Sequence, residues 1–142
     1  MRALLDVNVL LALMDNGHVH HASALAWWRR ERDSGWASCP LTQNGFVRIA
    51  CQGSYPQRPT AAQAIEQLRL QLAEPSHEFW PDTISLADAG LFDRRFILGP
   101  NQITDVYLLA LAVKNGGRLV TFDQSVSLAA VRGAQPQQLL VL

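Results

Sequence analysis

The chain has 142 residues, 49% of them apolar and 17% charged, a balance that excludes a disordered polymer and fits a single domain over residues 1–142. Folding at this length buries roughly two-thirds of the unfolded surface, enough for a self-sufficient core. The 12 basic and 12 acidic residues cancel, which excludes a sequence-independent basic coat but not a local basic rim around an acidic centre.

Cys39 and Cys51 form neither a C-x-x-C pair nor a disulfide framework, so a reducing compartment, the cytoplasm, is expected. Only Arg2 precedes the first apolar stretch, and Asp6 and Asn8 interrupt it. Neither a secretory signal nor a membrane span is expected there.

In chain order, Ala3-Leu4-Leu5 reads as a short buried strand ending at Asp6. Val7 to Leu13 stays apolar until Asp15-Asn16-Gly17 breaks the pattern. His20 to Arg32 has helical spacing, and Gly35 is its stop. Trp36 to Cys39 predicts a second strand, closed by Pro40. Thr42 is the expected N-cap of a helix carrying Phe46, Val47, Ile49 and Ala50. Pro59-Thr60 opens another helix through Leu72, with Ala64, Ile65, Leu68 and Leu72 as its apolar stripe. His77 to Trp80 predicts a third strand. Ser85 and Asp88 have capping-box spacing before a helix toward Phe92. Ile103 to Val113 is apolar nearly all round except for Asp105, the pattern of a helix buried on more than one face. Asn115-Gly116-Gly117 ends it, and Arg118 to Phe122 is a strand with Asp123 just past its end. A helix over Gln124 to Val131 and a strand over Leu139 to Leu142 complete the chain. This alternation predicts a three-layer α/β/α sandwich around a mainly parallel sheet.

That topology has a chemical consequence. Strands of a parallel sheet all leave at one edge, where the following helices begin and where ligands of open α/β sheets bind. Asp6 and Asp123 end strands, and Asp105 lies in the opening turn of a helix that starts at the same edge. Three carboxylates therefore line one cleft. Like charges this close repel, and a hard divalent cation relieves the repulsion. Magnesium takes oxygen ligands, keeps several waters and binds substrate phosphates. Metal-assisted attack of water on a phosphate ester is the expected chemistry.

The stretches LLDVNVLLAL, TQNGFVRI and ITDVYLLALAVKNGGRLVTFD, in that order, resemble a PIN domain, and more closely the VapC toxins of bacterial toxin–antitoxin pairs. The resemblance covers nearly the whole chain. It implies an α/β/α fold, Mg²⁺- or Mn²⁺-dependent endonucleolytic cleavage of RNA (a structured target such as transfer or ribosomal RNA), homodimerisation and neutralisation by a VapB-like antitoxin. Carried over by position, Asp6, Asp105 and Asp123 are metal-site acids. The remaining family acid, usually a Glu after the second strand, is replaced within Thr42-Gln43-Asn44-Gly45, and Asn44 is assigned its place. Asn8, Thr104 and Thr121 are read as supporting the acids through hydrogen bonds, and Arg48, one turn after Asn44, as a phosphate contact.

Plainer readings stand beside these. Asp123 and Asp6 are also suitable helix caps, and Asp105 suits a helix dipole. The His18, His20 and His21 cluster lacks any recognised zinc spacing and reads as a solvated helix start. Arg94 and Arg95 read as surface charges, and the four tryptophans mostly as core. The missing Glu leaves open a PIN-fold module that binds RNA or a protein partner without cleaving. An aspartyl-phosphate phosphatase also opens with a strand ending in Asp, but it needs a second Asp where this chain has Asn8.

Overall fold

The computed structural model describes residues 1–55 and 57–142. Five short strands, β1 (Ala3–Leu5), β2 (Trp36–Ser38), β3 (His77–Phe79), β4 (Arg118–Thr121) and β5 (Leu139–Val141), form one sheet in the order β3-β2-β1-β4-β5. All four neighbouring pairs are parallel, so the sheet expected to be mainly parallel is wholly so. Alternate side chains serve two cores. Ala3, Leu5, Trp36 and Val120 face one layer, built from α1 (Val7–Met14), α2 (His21–Glu31), α3 (Pro40–Ala50) and α4 (Ala61–Leu72). Leu4, Ala37 and Leu119 face the other, built around α5 (Ile103–Lys114). No helix is long and apolar enough to cross a membrane among the described residues.

Local chemistry explains most boundaries. Thr60 caps α4 reciprocally with Gln63, and Val106 through Ala112 are all buried in α5. Helix α5 closes as a Schellman motif: Gly116 takes φ +68°, and the Gly117 amide donates to the Ala112 carbonyl at 2.9 Å. At Gly45, an added Cβ would lie 2.7 Å from Cγ2 of Val7, a stiff β-branched side chain. Overpacking there costs about 1–3 kcal/mol, against about 1 kcal/mol gained from alanine's helix propensity. Gly45→Ala should therefore lower the urea midpoint by a net loss of about 1 kcal/mol; an unchanged midpoint would show that α1 and α3 can part freely.

Three expectations are corrected. Helix α3 begins at Pro40, with Cys39 as its N-cap. Thr42 lies inside the first turn, where its hydroxyl accepts from the Cys39 amide at 3.0 Å and donates to the Cys39 carbonyl at 3.1 Å. The Ser85 to Phe92 segment is a series of turns, and Gln124 to Val131 contains only one 3-10 turn, Leu128–Ala130. These two segments hold each other instead. Phe92 and Val131 form an antiparallel bridge, the Asp93 amide donates to the Ala130 carbonyl, and Asp93 pairs with Arg95 and Arg132.

Candidate functional site

The strand order reverses between β1 and β4, and the carboxyl ends of those two strands define the point where open α/β sheets bind ligands. Asp6 sits there, 6% exposed, both ending β1 and capping α1. One of its oxygens accepts the Val7 amide at 2.6 Å and the other accepts the Thr121 hydroxyl at 2.7 Å. Thr121 ends β4, one step beyond the Leu5–Val120 pair, and is wholly buried. Its Oγ1 also accepts the Asp123 amide at 3.0 Å and, more weakly, Nδ2 of Asn8 at 3.5 Å. A single hydroxyl thus ties Asp6, Asn8 and Asp123 together across 115 residues of chain.

Asp105 comes to the same place from the opposite layer, in the first turn of α5. Burial, the neighbouring carboxylates of Asp6 and Asp123, and a hydrogen bond shared with Asp123 push its pKa up to about 7. Burial also raises Asp6. Asp123 moves the other way, held low chiefly by its hydrogen bonds to Ser125, whose amide donates at 2.7 Å. The three aspartates read from the sequence are therefore brought together. No Lys, Arg or His forms an ion pair with any of them among the described residues.

The donors are all oxygen, the set a hard cation prefers. Oδ1 of Asn8 adds to it, a buried acceptor with no hydrogen-bond partner among the described residues. No three His, Cys, Asp or Glu side chains close into a metal cage among the described residues. The carboxylates form an open rim, which matches an ion that keeps several waters and leaves room for substrate.

The other expected residues lie further out. Asn44 and Arg48 are exposed, one turn apart, on the face of α3 opposite its buried stripe of Thr42, Gly45, Phe46 and Ala50. They border an open groove against Ile65 and Leu68 of α4. Thr104 is exposed. Arg95 is committed to Asp93. Sequence reasoning passed over Gln43, which is half-buried and donates from Nε2 to Ser38 Oγ at 2.9 Å at the carboxyl end of β2. Helix α3 starts three residues earlier than expected, at Pro40, and its half-buried Gln43 rather than exposed Asn44 reaches the sheet edge; Pro at the first helical position was the available signal.

The sequence matches the PIN domain family over residues 3–132. It is 53% identical to Ribonuclease VapC44 of Mycobacterium tuberculosis over 142 residues, the full length of both. The chain belongs to the PIN domain family, among its VapC ribonucleases. Ribonuclease VapC39 of the same organism is 44% identical over 134 residues, 94% of this chain and 96% of that protein. Two crystal structures share this PIN fold. M. tuberculosis VapC20, a toxin that cleaves the sarcin-ricin loop, superposes with a TM-score of 0.57 at 16% identity, covering 86% of this chain and 90% of that one. VapBC2 of Rickettsia felis, bound to a DNA fragment of its promoter, gives 0.55 at 13% identity over 89% and 96%.

Proposed function

We propose that this protein is a cytoplasmic endoribonuclease toxin, neutralised by a VapB-like antitoxin, whose Asp6, Asp105 and Asp123 bind Mg²⁺ or Mn²⁺ and cleave RNA phosphodiesters by hydrolysis. The observation that carries it is the meeting of Asp6, Asp105 and Asp123 at the carboxyl ends of β1 and β4, with no cationic side chain paired to any of them among the described residues. A divalent ion, when bound, lowers the pKa of water and stabilises charge building on the phosphoryl oxygens. The chain's own contribution is to hold the oxygens still. Thr121 orients Asp6, the Ser125 amide orients Asp123, and Asn8 presents a bare amide oxygen. Asp105, whose pKa is raised to about 7, would give up its proton to hold such an ion. Gln43 takes the place of the fourth acid better than Asn44 does, because its side chain lies at the sheet edge. Arg48 and Asn44 are left to meet the RNA strand along their groove.

Exposed Phe96, Leu98 and Ile103, on the segment entering α5, favour a homodimer formed over that apolar surface. The rival reading, a non-cleaving PIN module, draws on the amide in place of the fourth acid. Incubating cellular RNA with purified protein in Mn²⁺ and in EDTA, then sequencing the new ends, separates the two. Discrete Mn²⁺-dependent ends support the nuclease, and intact RNA under both conditions overturns it.

Thr121→Val probes the hub. It strips Asp6 and the Asp123 amide of a partner, at an expected cost of about 1–3 kcal/mol in stability. Cleavage should fall roughly 10- to 100-fold, the range for residues that orient metal-binding side chains. A variant as stable and active as the wild type would leave Thr121 with a packing role only.

A further inference from the structure

The three histidines at the junction of α1 and α2 have distinct surroundings. His21 puts Nδ1 on the Ala12 carbonyl at 2.7 Å, pinning α2 to α1. His18 puts Nδ1 against the His20 amide at 3.1 Å. The ring of His20 makes no hydrogen bond among the described residues, and the residue is exposed. It stacks on Phe122, with centroids 4.4 Å apart and planes inclined by 19°. Phe122 stands between Thr121 and Asp123, each about 3.8 Å away along the backbone. It packs toward the α1–α4 layer, whereas Asp105 approaches from the α5 layer. The stack therefore flanks the acidic rim on one side only.

The loop that carries His20 is already ordered. Asp15 accepts the Gly17 amide at 2.9 Å through Oδ1 and the Tyr55 hydroxyl at 2.9 Å through Oδ2, and its carbonyl accepts the His18 amide at 3.1 Å. An exposed flat ring, backed by Phe122 and neighboured by the tilted His18 ring at 5.8 Å, with no ring hydrogen bond of its own among the described residues, suits stacking against a nucleobase. Ordering cost is low because the loop is fixed beforehand.

We infer that His20, backed by Phe122, is a stacking platform for one unpaired nucleobase of the RNA, beside the phosphate held at the Asp6, Asp105 and Asp123 rim. The inference rests on the ribonuclease reading and adds a binding residue to it. Every base has a π-face, so the platform grips single-stranded RNA without choosing a base. It also gives the bound strand a direction, since the α5 side of the rim has no matching stack among the aromatic pairs of the described residues.

Binding is tested in an Asp6→Asn background, with a fluorescein-labelled single-stranded RNA decamer read by anisotropy. His20→Ala should weaken binding roughly tenfold, within the range for loss of one base–aromatic stack. His20→Phe should restore it to within about twofold, because stacking survives without the imidazole nitrogens. An abasic site moved along the decamer should reach one position at which His20→Ala no longer matters. In the otherwise native enzyme, the loss should fall on KM. Equal binding by the Ala, Phe and His proteins, or an abasic scan in which every position adds to the His20→Ala loss, overturns the platform. If the wild type cleaves RNA while His20→Ala matches it in KM and binding, only this inference fails. If the wild type neither binds nor cleaves RNA, the ribonuclease reading fails with it.

Discussion

Asp6→Asn is expected to lower RNA cleavage by roughly 10³-fold while the protein stays folded. The carboxylate is nearly buried, is raised in pKa by that burial and faces the charge of Asp123. Replacing it with a neutral amide relieves both costs. The amide oxygen still accepts the Val7 amide, and the amide nitrogen meets Thr121, so the strand end and the cap are kept. Thermal stability without metal should equal or exceed that of the wild type, while stabilisation by Mn²⁺ shrinks. The measurement pairs a melting curve, with and without Mn²⁺, with a cleavage assay. Full activity in the folded variant would remove the metal-site reading; an unfolded variant would show instead that Asp6 is needed to close the sheet edge.

Asp105 governs the second large effect, the coupling of metal, proton and stability. Its pKa is raised to about 7 in the folded protein, from an ordinary carboxyl value of 3.8 when unfolded. Between those values the folded state binds the additional proton. Stability of the metal-free protein therefore falls as pH rises from about 4 to about 7 and gains no further penalty from this group above that. Asp105→Asn should flatten this slope and raise the metal-free melting temperature at pH 7.5. A cation must displace the same proton, so Mn²⁺ affinity should climb up to about tenfold per pH unit approaching pH 7 and level off beyond it. Calorimetry in two buffers of different ionisation enthalpy reads the released proton directly. A pH-independent affinity, or a slope that survives in Asp105→Asn, would assign the coupling elsewhere.

The five strands were legible in the sequence as brief runs, three of them set off by clear breaks: Asp6, Pro40, and Gly117 with Asp123. Helix α5 was legible for a different reason, since its unbroken apolar surface and the Asn115-Gly116-Gly117 stop admit little else. The failures share one cause. Ser85 to Phe92 and Gln124 to Val131 carry local helix signals, but a helix this short holds only where packing supports it, as in the eight-residue α1, which buries Val9 to Ala12. What each does instead depends on the other, through the Phe92–Val131 bridge and the Asp93 contacts. Neither segment encodes that partner in its own pattern.

For the acidic rim, the division is similar. That Asp6, Asp105 and Asp123 share one edge follows from strand order in the chain, because parallel strands have their ends in common whatever their lateral arrangement. Lateral arrangement decided the rest. Only the folded sheet sets β4 beside β1, so that one threonine hydroxyl reaches Asp6, and only the folded loop lays His20 on Phe122. Periodicity reports which face a residue takes within its own element. Hydrogen bonds and ring stacks between distant segments need distances, and those exist only once the chain has closed on itself.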